Sequence, residues 1–133
     1  ETMRKKNDNT IDTKLTAKEE EVMNVLWKHG PMFVKEIVAN MPDPKPHVNT
    51  VSTYVRILEQ KGVVEHEDMG NSFRYKAVLP KEKMRRKTLG SVLRNYFDNS
   101  SKGLVSALVE EEKLTVDDLK ELISIIESKN PKN

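Results

Sequence analysis

The amino-acid sequence predicts a mainly α chain with one small β-hairpin, in which three helices and the hairpin form a first domain and further helices follow. Three observations carry that expectation. Apolar residues recur at helical spacing in three stretches ahead of Gly62. Two short stretches that read as strands, the second with period-two alternation, then flank a turn at Gly70. After Pro80 helical stripes return, with no further strand to receive them.

The first helix opens at Thr16, which with Glu19 makes a capping box, and Val22, Met23, Leu26 and Trp27 give it one buried face. Gly30-Pro31 ends it, because proline cannot extend a helix and glycine can take the left-handed conformation of a C-terminal cap. A short second helix is expected from Phe33 to Asn40, with Phe33, Ile37 and Val38 inward. Pro42, Pro44 and Pro46 make the next stretch a turn. The third helix runs from about Val48 to Lys61 and closes on Gly62, with Val51, Tyr54, Val55 and Leu58 as its apolar side. Val63 to Glu67 and Phe73 to Val78 are the two strands, joined through Met69-Gly70-Asn71-Ser72. Alternation puts Phe73, Tyr75 and Ala77 on one face of the second strand and Arg74 and Lys76 on the other. Three helices and then a hairpin is the order of a winged helix-turn-helix.

Pro80 starts a long helix to about Asp98, striped by Leu89, Val92, Leu93, Tyr96 and Phe97 and interrupted at Asn99-Ser100-Ser101. A short helix follows around Leu104, Val105, Leu108 and Val109, and a capping box from Thr115 to Asp118 opens the last. A domain of about 65 residues buries only about 60% of its unfolded surface. A tail that gains stability by pairing with its own copy is therefore expected, through Leu89, Leu93, Phe97, Leu104, Leu108, Leu119, Leu122, Ile123 and Ile126. The expected division is a flexible arm over 1–14, a winged helix-turn-helix domain that binds DNA over 15–79, and a helical dimerisation domain over 80–133.

Composition narrows the function. The chain has 133 residues, 36% hydrophobic and 33% charged, with no cysteine. The missing thiols exclude disulfides, thiol catalysis and cysteine-ligated metal. No apolar run approaches the roughly 18 residues of a membrane span, and the first 14 residues lack the apolar stretch of a signal peptide, so a cytoplasmic protein without membrane insertion is expected. Net charge is only +2, and residues 1–80 carry as many acidic as basic side chains, so overall charge does not announce a nucleic-acid partner. Enzyme chemistry finds no support: the five glycines form no phosphate loop, and His29, His47 and His66 fall on separate elements. Neither a metal nor a cofactor is expected. The basic run from Lys81 to Lys87 opposes the dipole of the helix it starts, and helix stability does not explain it.

The third helix carries the chemistry. A major groove admits one α-helix whose outer side chains meet base edges. Asn49 can bond adenine twice, Thr50 and Thr53 can meet a phosphate or a thymine methyl, Arg56 can reach guanine or phosphate, and Ser52 completes a polar face whose helix has Glu59 as its only acid. Arg74 and Lys76 on the wing could hold the adjacent backbone of double-stranded DNA. Winged helices also serve as adaptors between proteins, and fold alone does not choose between the two.

Several of these residues fall into a pattern already known. Leu15-Thr16-x-x-Glu19-x-Glu21-Val22-Met23-Asn24-x-Leu26-Trp27, Thr50-Val51-x-Thr53-x-Val55-x-x-Leu58-x-x-Lys61-Gly62, Phe73-x-Tyr75 and the tail segments Leu104 to Glu110 and Leu114 to Leu122 resemble the penicillinase-repressor (BlaI/MecI) family, over roughly Leu15 to Ser128. The resemblance implies a homodimeric transcriptional repressor, a winged helix on an inverted-repeat operator, and interlocked C-terminal helices. It also implies a setting in antibiotic resistance, with release by a membrane metalloprotease sensor whose signal leads to a cut in the tail. The family's cleaved Asn-Phe pair aligns with Ala107-Leu108, so that scissile pair is missing. The family's copper-responsive branch needs a C-terminal cysteine motif that this chain lacks. Asn49 and Ser52 stand where the family places Lys and Arg, which implies a different operator or a weaker hold on phosphate.

Overall fold

A computed structural model describes residues 14–130. All but the last residue of the expected arm, and residues 131–133, lie outside that range. Thr16 opens helix α1 (Ala17–His29) with both halves of the capping box: its Oγ1 accepts from Glu19 N–H at 3.1 Å, and its own N–H donates to Glu19 Oε1 at 3.0 Å. Gly30 ends the helix at φ 86°, ψ −165°. That is not the left-handed cap expected, but it is equally closed to a residue with a Cβ.

The expected two-stranded hairpin is a three-stranded sheet. Strand β1 (Met32–Phe33) precedes helix α2 (Val34–Ala39), so Phe33 is the extended residue before the helix and not its first inward turn. Glu36 Oε1 accepts from Phe33 N–H at 2.8 Å and so satisfies one donor at that junction. Helix α3 (Val48–Gln60) follows the proline turn, then strands β2 (Val64–Asp68) and β3 (Phe73–Ala77). The sheet order is β1-β3-β2, antiparallel throughout, with Met32 opposite Tyr75, Val64 opposite Ala77 and His66 opposite Tyr75.

The core fills the space between the helices and the sheet. Val22, Met23 and Leu26 of α1, Ile37 of α2, and Val51, Val55 and Leu58 of α3 meet Val64 and Tyr75 from the sheet and Val63 just before it, all buried. Each such aliphatic side chain contributes roughly 1.5–3 kcal/mol through burial. Trp27 donates its indole N–H to the Leu79 carbonyl at 2.8 Å, fastening α1 to the end of the wing. Leu79 and Met84 are buried in the same core. The first compact unit accordingly runs to Thr88, inside helix α4 (Lys81–Tyr96), and does not stop at Pro80.

The second unit begins at Leu89 and holds the end of α4, helix α5 (Ser101–Glu110) and helix α6 (Val116–Lys129). Asp98 and Asn99 adopt positive φ (49° and 62°), and they reverse the chain where an interruption was expected. Ser100 and Thr115 cap the two later helices, Thr115 with a full box to Asp118. None of its described residues is buried within the single chain: Leu89, Leu122, Ile123 and Ile126 are exposed, and Leu93, Phe97, Leu104 and Leu119 are half-covered. Among the described residues no helix is long and apolar enough to cross a membrane.

Candidate nucleic-acid interface

The burial of Val51, Val55 and Leu58 fixes the roll of α3 and so decides which side chains face outward. His47 caps the helix, its Nδ1 accepting from Asn49 N–H at 3.0 Å. Asn49, Ser52, Thr53 and Arg56 then stand three or four residues apart on one face, with Asn49, Thr53 and Arg56 exposed and Ser52 half-buried. Thr50 is exposed one step round the helix. Arg56 Nη2 donates to Thr53 Oγ1 at 3.3 Å, and that hydroxyl donates to the Asn49 carbonyl at 3.2 Å. The face is therefore partly ordered before any partner arrives. It carries no carboxylate, because Glu59 turns to the wing, where His66 Nδ1 lies 2.8 Å from its Oε2.

Two contacts tether the C-terminal end of this helix. Lys61, at its end, donates to Glu19 Oε1 at 2.8 Å and to the Lys14 carbonyl at 2.6 Å. The Glu19 side chain is 5% exposed and that of Lys61 19%, so the pair is shielded from water. Glu19 therefore serves both the capping box and this pair.

The wing is not the free cationic strand that alternation suggested. Arg74 and Lys76 do share a face, but β2 places Glu67 and Glu65 directly opposite them. Arg74 Nη2 lies 2.7 Å from Glu67 Oε1, and Lys76 Nζ 3.2 Å from Glu65 Oε2. The hydrogen bond and charge of Arg74, aided by Lys76, hold the Glu67 carboxyl below its ordinary pKa despite a small opposing effect of burial. The signal was present in the sequence, since Glu65 and Glu67 mirror Lys76 and Arg74 about Gly70. On the other face of the hairpin His66 stacks on Phe73 with ring centroids 4.3 Å apart, and Tyr75 lies 5.7 Å from His66. Burial raises the Tyr75 phenol above its ordinary pKa; Glu59 adds to this and Arg56 opposes it.

Between α3, the start of α2 and the wing lies an open groove of about 620 Å³. Phe33, Val34, Val48, Phe73 and Tyr75 supply its apolar lining, and Ser52, Arg56 and Lys35 its polar points. Phe33, Lys35 and Phe73 carried no site signal in the sequence.

The remaining candidates separate. His29, His47 and His66 do not converge, and among the described residues no group of His, Asp and Glu could hold a metal. In the basic run, Arg85 and Arg86 share Glu82 at 3.7 and 3.6 Å, all exposed. Ala107-Leu108 lies inside α5, with the Ala107 carbonyl accepting from Glu111 N–H and the Leu108 carbonyl from Lys113 N–H, both at 2.9 Å.

Comparison with known proteins gives a consistent result. The family model described as penicillinase repressor matches residues 15–128. The chain is 24% identical over 116 residues to the methicillin resistance regulatory protein MecI of Staphylococcus aureus (strain N315), covering 86% of this chain and 94% of that protein. It is 25% identical over 118 residues to the MecI protein of Mammaliicoccus sciuri, with the same coverage of 86% and 94%. It is 25% identical over 108 residues to the penicillinase repressor of Bacillus licheniformis, covering 80% of this chain and 84% of that protein.

Proposed function

The chain belongs to the penicillinase repressor family of transcriptional regulators, and from that premise we propose that it acts as a homodimer that binds an inverted-repeat operator in double-stranded DNA. The observation that carries the reading is the outer face of α3, where Asn49, Ser52, Thr53 and Arg56 stand together without a carboxylate. Two such helices, one from each protomer, enter successive major grooves about 34 Å apart. Thr50 borders that contact, and the wing residues Arg74 and Lys76 meet phosphates once they exchange their carboxylate partners for DNA. Repression follows from occupying a promoter, and an antibiotic-resistance setting is supported by relatives named as a methicillin resistance regulatory protein and a penicillinase repressor.

The pairing surface is the apolar face of the second unit. Val116 is 67% and Ile126 61% exposed in the single chain, more than a folded tail leaves to water without a partner. Release through a membrane metalloprotease sensor requires a cut at a bond other than Ala107-Leu108, or local unfolding of α5, because that pair is held in helical hydrogen bonds.

A gel-shift series on duplexes from the upstream region of the protein's own operon tests the reading. A salt-dependent shift on a palindrome is expected; no shift at low salt on any palindrome would remove DNA binding. One observation favours the alternative, an adaptor that binds protein and not DNA: the wing cations are already matched by Glu65 and Glu67. That alternative predicts no salt-dependent nucleic-acid binding at all.

A further inference from the structure

The groove between α3 and the wing has the size and lining of a small-molecule site. Its volume of about 620 Å³ lies inside the roughly 300–1,000 Å³ range of ligand pockets, and such pockets pair an apolar body with a few polar points. Here the body is aromatic. Phe33 and Phe73 line the groove with Tyr75, and Phe73 remains 45% exposed although His66 stacks against it. Two of the polar points, Arg56 and Lys35, are cationic. Arg56 spends one donor on Thr53, and neither Arg56 nor Lys35 has a carboxylate partner within ion-pair distance among the described residues. Glu36, the one carboxylate of the lining, is occupied by the Phe33 N–H. The lining joins those donors to a body of aromatic rings. It suits a flat ring system whose carboxylate meets the Arg56 fork.

We propose that this groove binds a small aromatic carboxylate, and that its occupancy releases DNA. The second half rests on the operator-binding reading above. Ser52 and Arg56 line the groove and also belong to the face that meets the bases, so ligand and operator claim the same guanidinium. A ligand that binds only the DNA-free form shifts the equilibrium by its differential affinity. Such release requires no cut in the tail.

The full-length protein is titrated with 2-naphthoate, and with 2-naphthamide as its neutral counterpart, while amide NMR shifts are followed without DNA. Saturable shifts centred on Phe33, Ser52 and Phe73 are expected, weaker by about tenfold for the amide and for Arg56→Gln, as loss of a charge-assisted pair implies. Phe73→Ser, at an exposed position, is expected to abolish the shifts while the fold persists. No saturable shift, equal binding of acid and amide, or shifts confined to the tail helices would each overturn the site. In gel shifts, naphthoate is expected to raise the apparent Kd for the operator in wild type but not in Phe73→Ser. A stable complex holding both ligand and DNA would overturn the competition. Failure of the ligand-free protein to bind any operator would instead sink the DNA reading, and the NMR titration would still decide the groove.

Discussion

At the scale of single residues, Arg56 differs from its neighbours on α3 because its guanidinium brings five donors where Asn49, Ser52 and Thr53 bring short polar groups. Arg56→Ala is expected to lower operator affinity by about 1–3 kcal/mol while leaving a scrambled duplex unaffected. Equal losses on both duplexes, in parallel titrations, would assign it to phosphate. Lys61 acts through Glu19. Removing one partner of a shielded pair leaves a buried charge, so Lys61→Met is expected to destabilise the fold by about 3 kcal/mol near neutral pH. Urea melts check this; a variant as stable as wild type would show that the pair contributes nothing. Tyr75 answers at the other end of the pH scale. Its phenol is raised above 10.0 in the folded state, chiefly by burial. Its contribution is therefore complete below pH 10 and is lost as pH rises through the folded value. Tyr75→Phe has no proton to lose, so its melting temperature should fall less steeply than that of wild type above pH 10. Parallel curves would clear Tyr75 of any part in the alkaline limb.

At the scale of elements, the wing is a ladder of matched charges. Arg74 faces Glu67 and Lys76 faces Glu65 across β2 and β3, so the hairpin presents little net charge to a phosphate backbone. The pairs are exposed, and exposed pairs add little to stability. The double substitution Glu65→Gln with Glu67→Gln should therefore leave folding nearly unchanged and free both cations. Non-specific DNA binding is expected to strengthen, with the slope of log K against log salt steeper by up to about 2. An unchanged slope would take the wing out of the DNA contact. Strand β1 shows how small an element can matter. Its two residues, Met32 and Phe33, close the sheet against β3 and bring the Phe33 ring to the groove. Two residues display no period, so hydrophobic patterning puts Phe33 at the start of a helix and Met32 in no element.

At the scale of the whole molecule, the winged unit claims part of the helix that follows it. Leu79 and Met84 are both core residues, and Trp27 holds the Leu79 carbonyl. A chain ending at Leu79 loses Met84, and burial of such a side chain is worth about 2–5 kcal/mol when removed. A chain ending at Thr88 keeps it. Such a chain should fold and sediment as a monomer, while the full chain sediments as a dimer; persistent dimers of the shorter chain would move the interface into the winged unit. The sequence by itself determined the order of the helices, their caps at Thr16 and Thr115, the hairpin about Gly70 and the polar face from Asn49 to Arg56. Each of these is written in neighbours a few residues apart, through backbone conformation and hydrogen bonds that close locally. Only the tertiary structure decided the third strand, the ownership of Met84, the Glu19–Lys61 bond and the aromatic groove. Those arise where residues distant in the chain meet, and the register and packing that bring them together depend on the cooperative burial of the whole core, which no local period records.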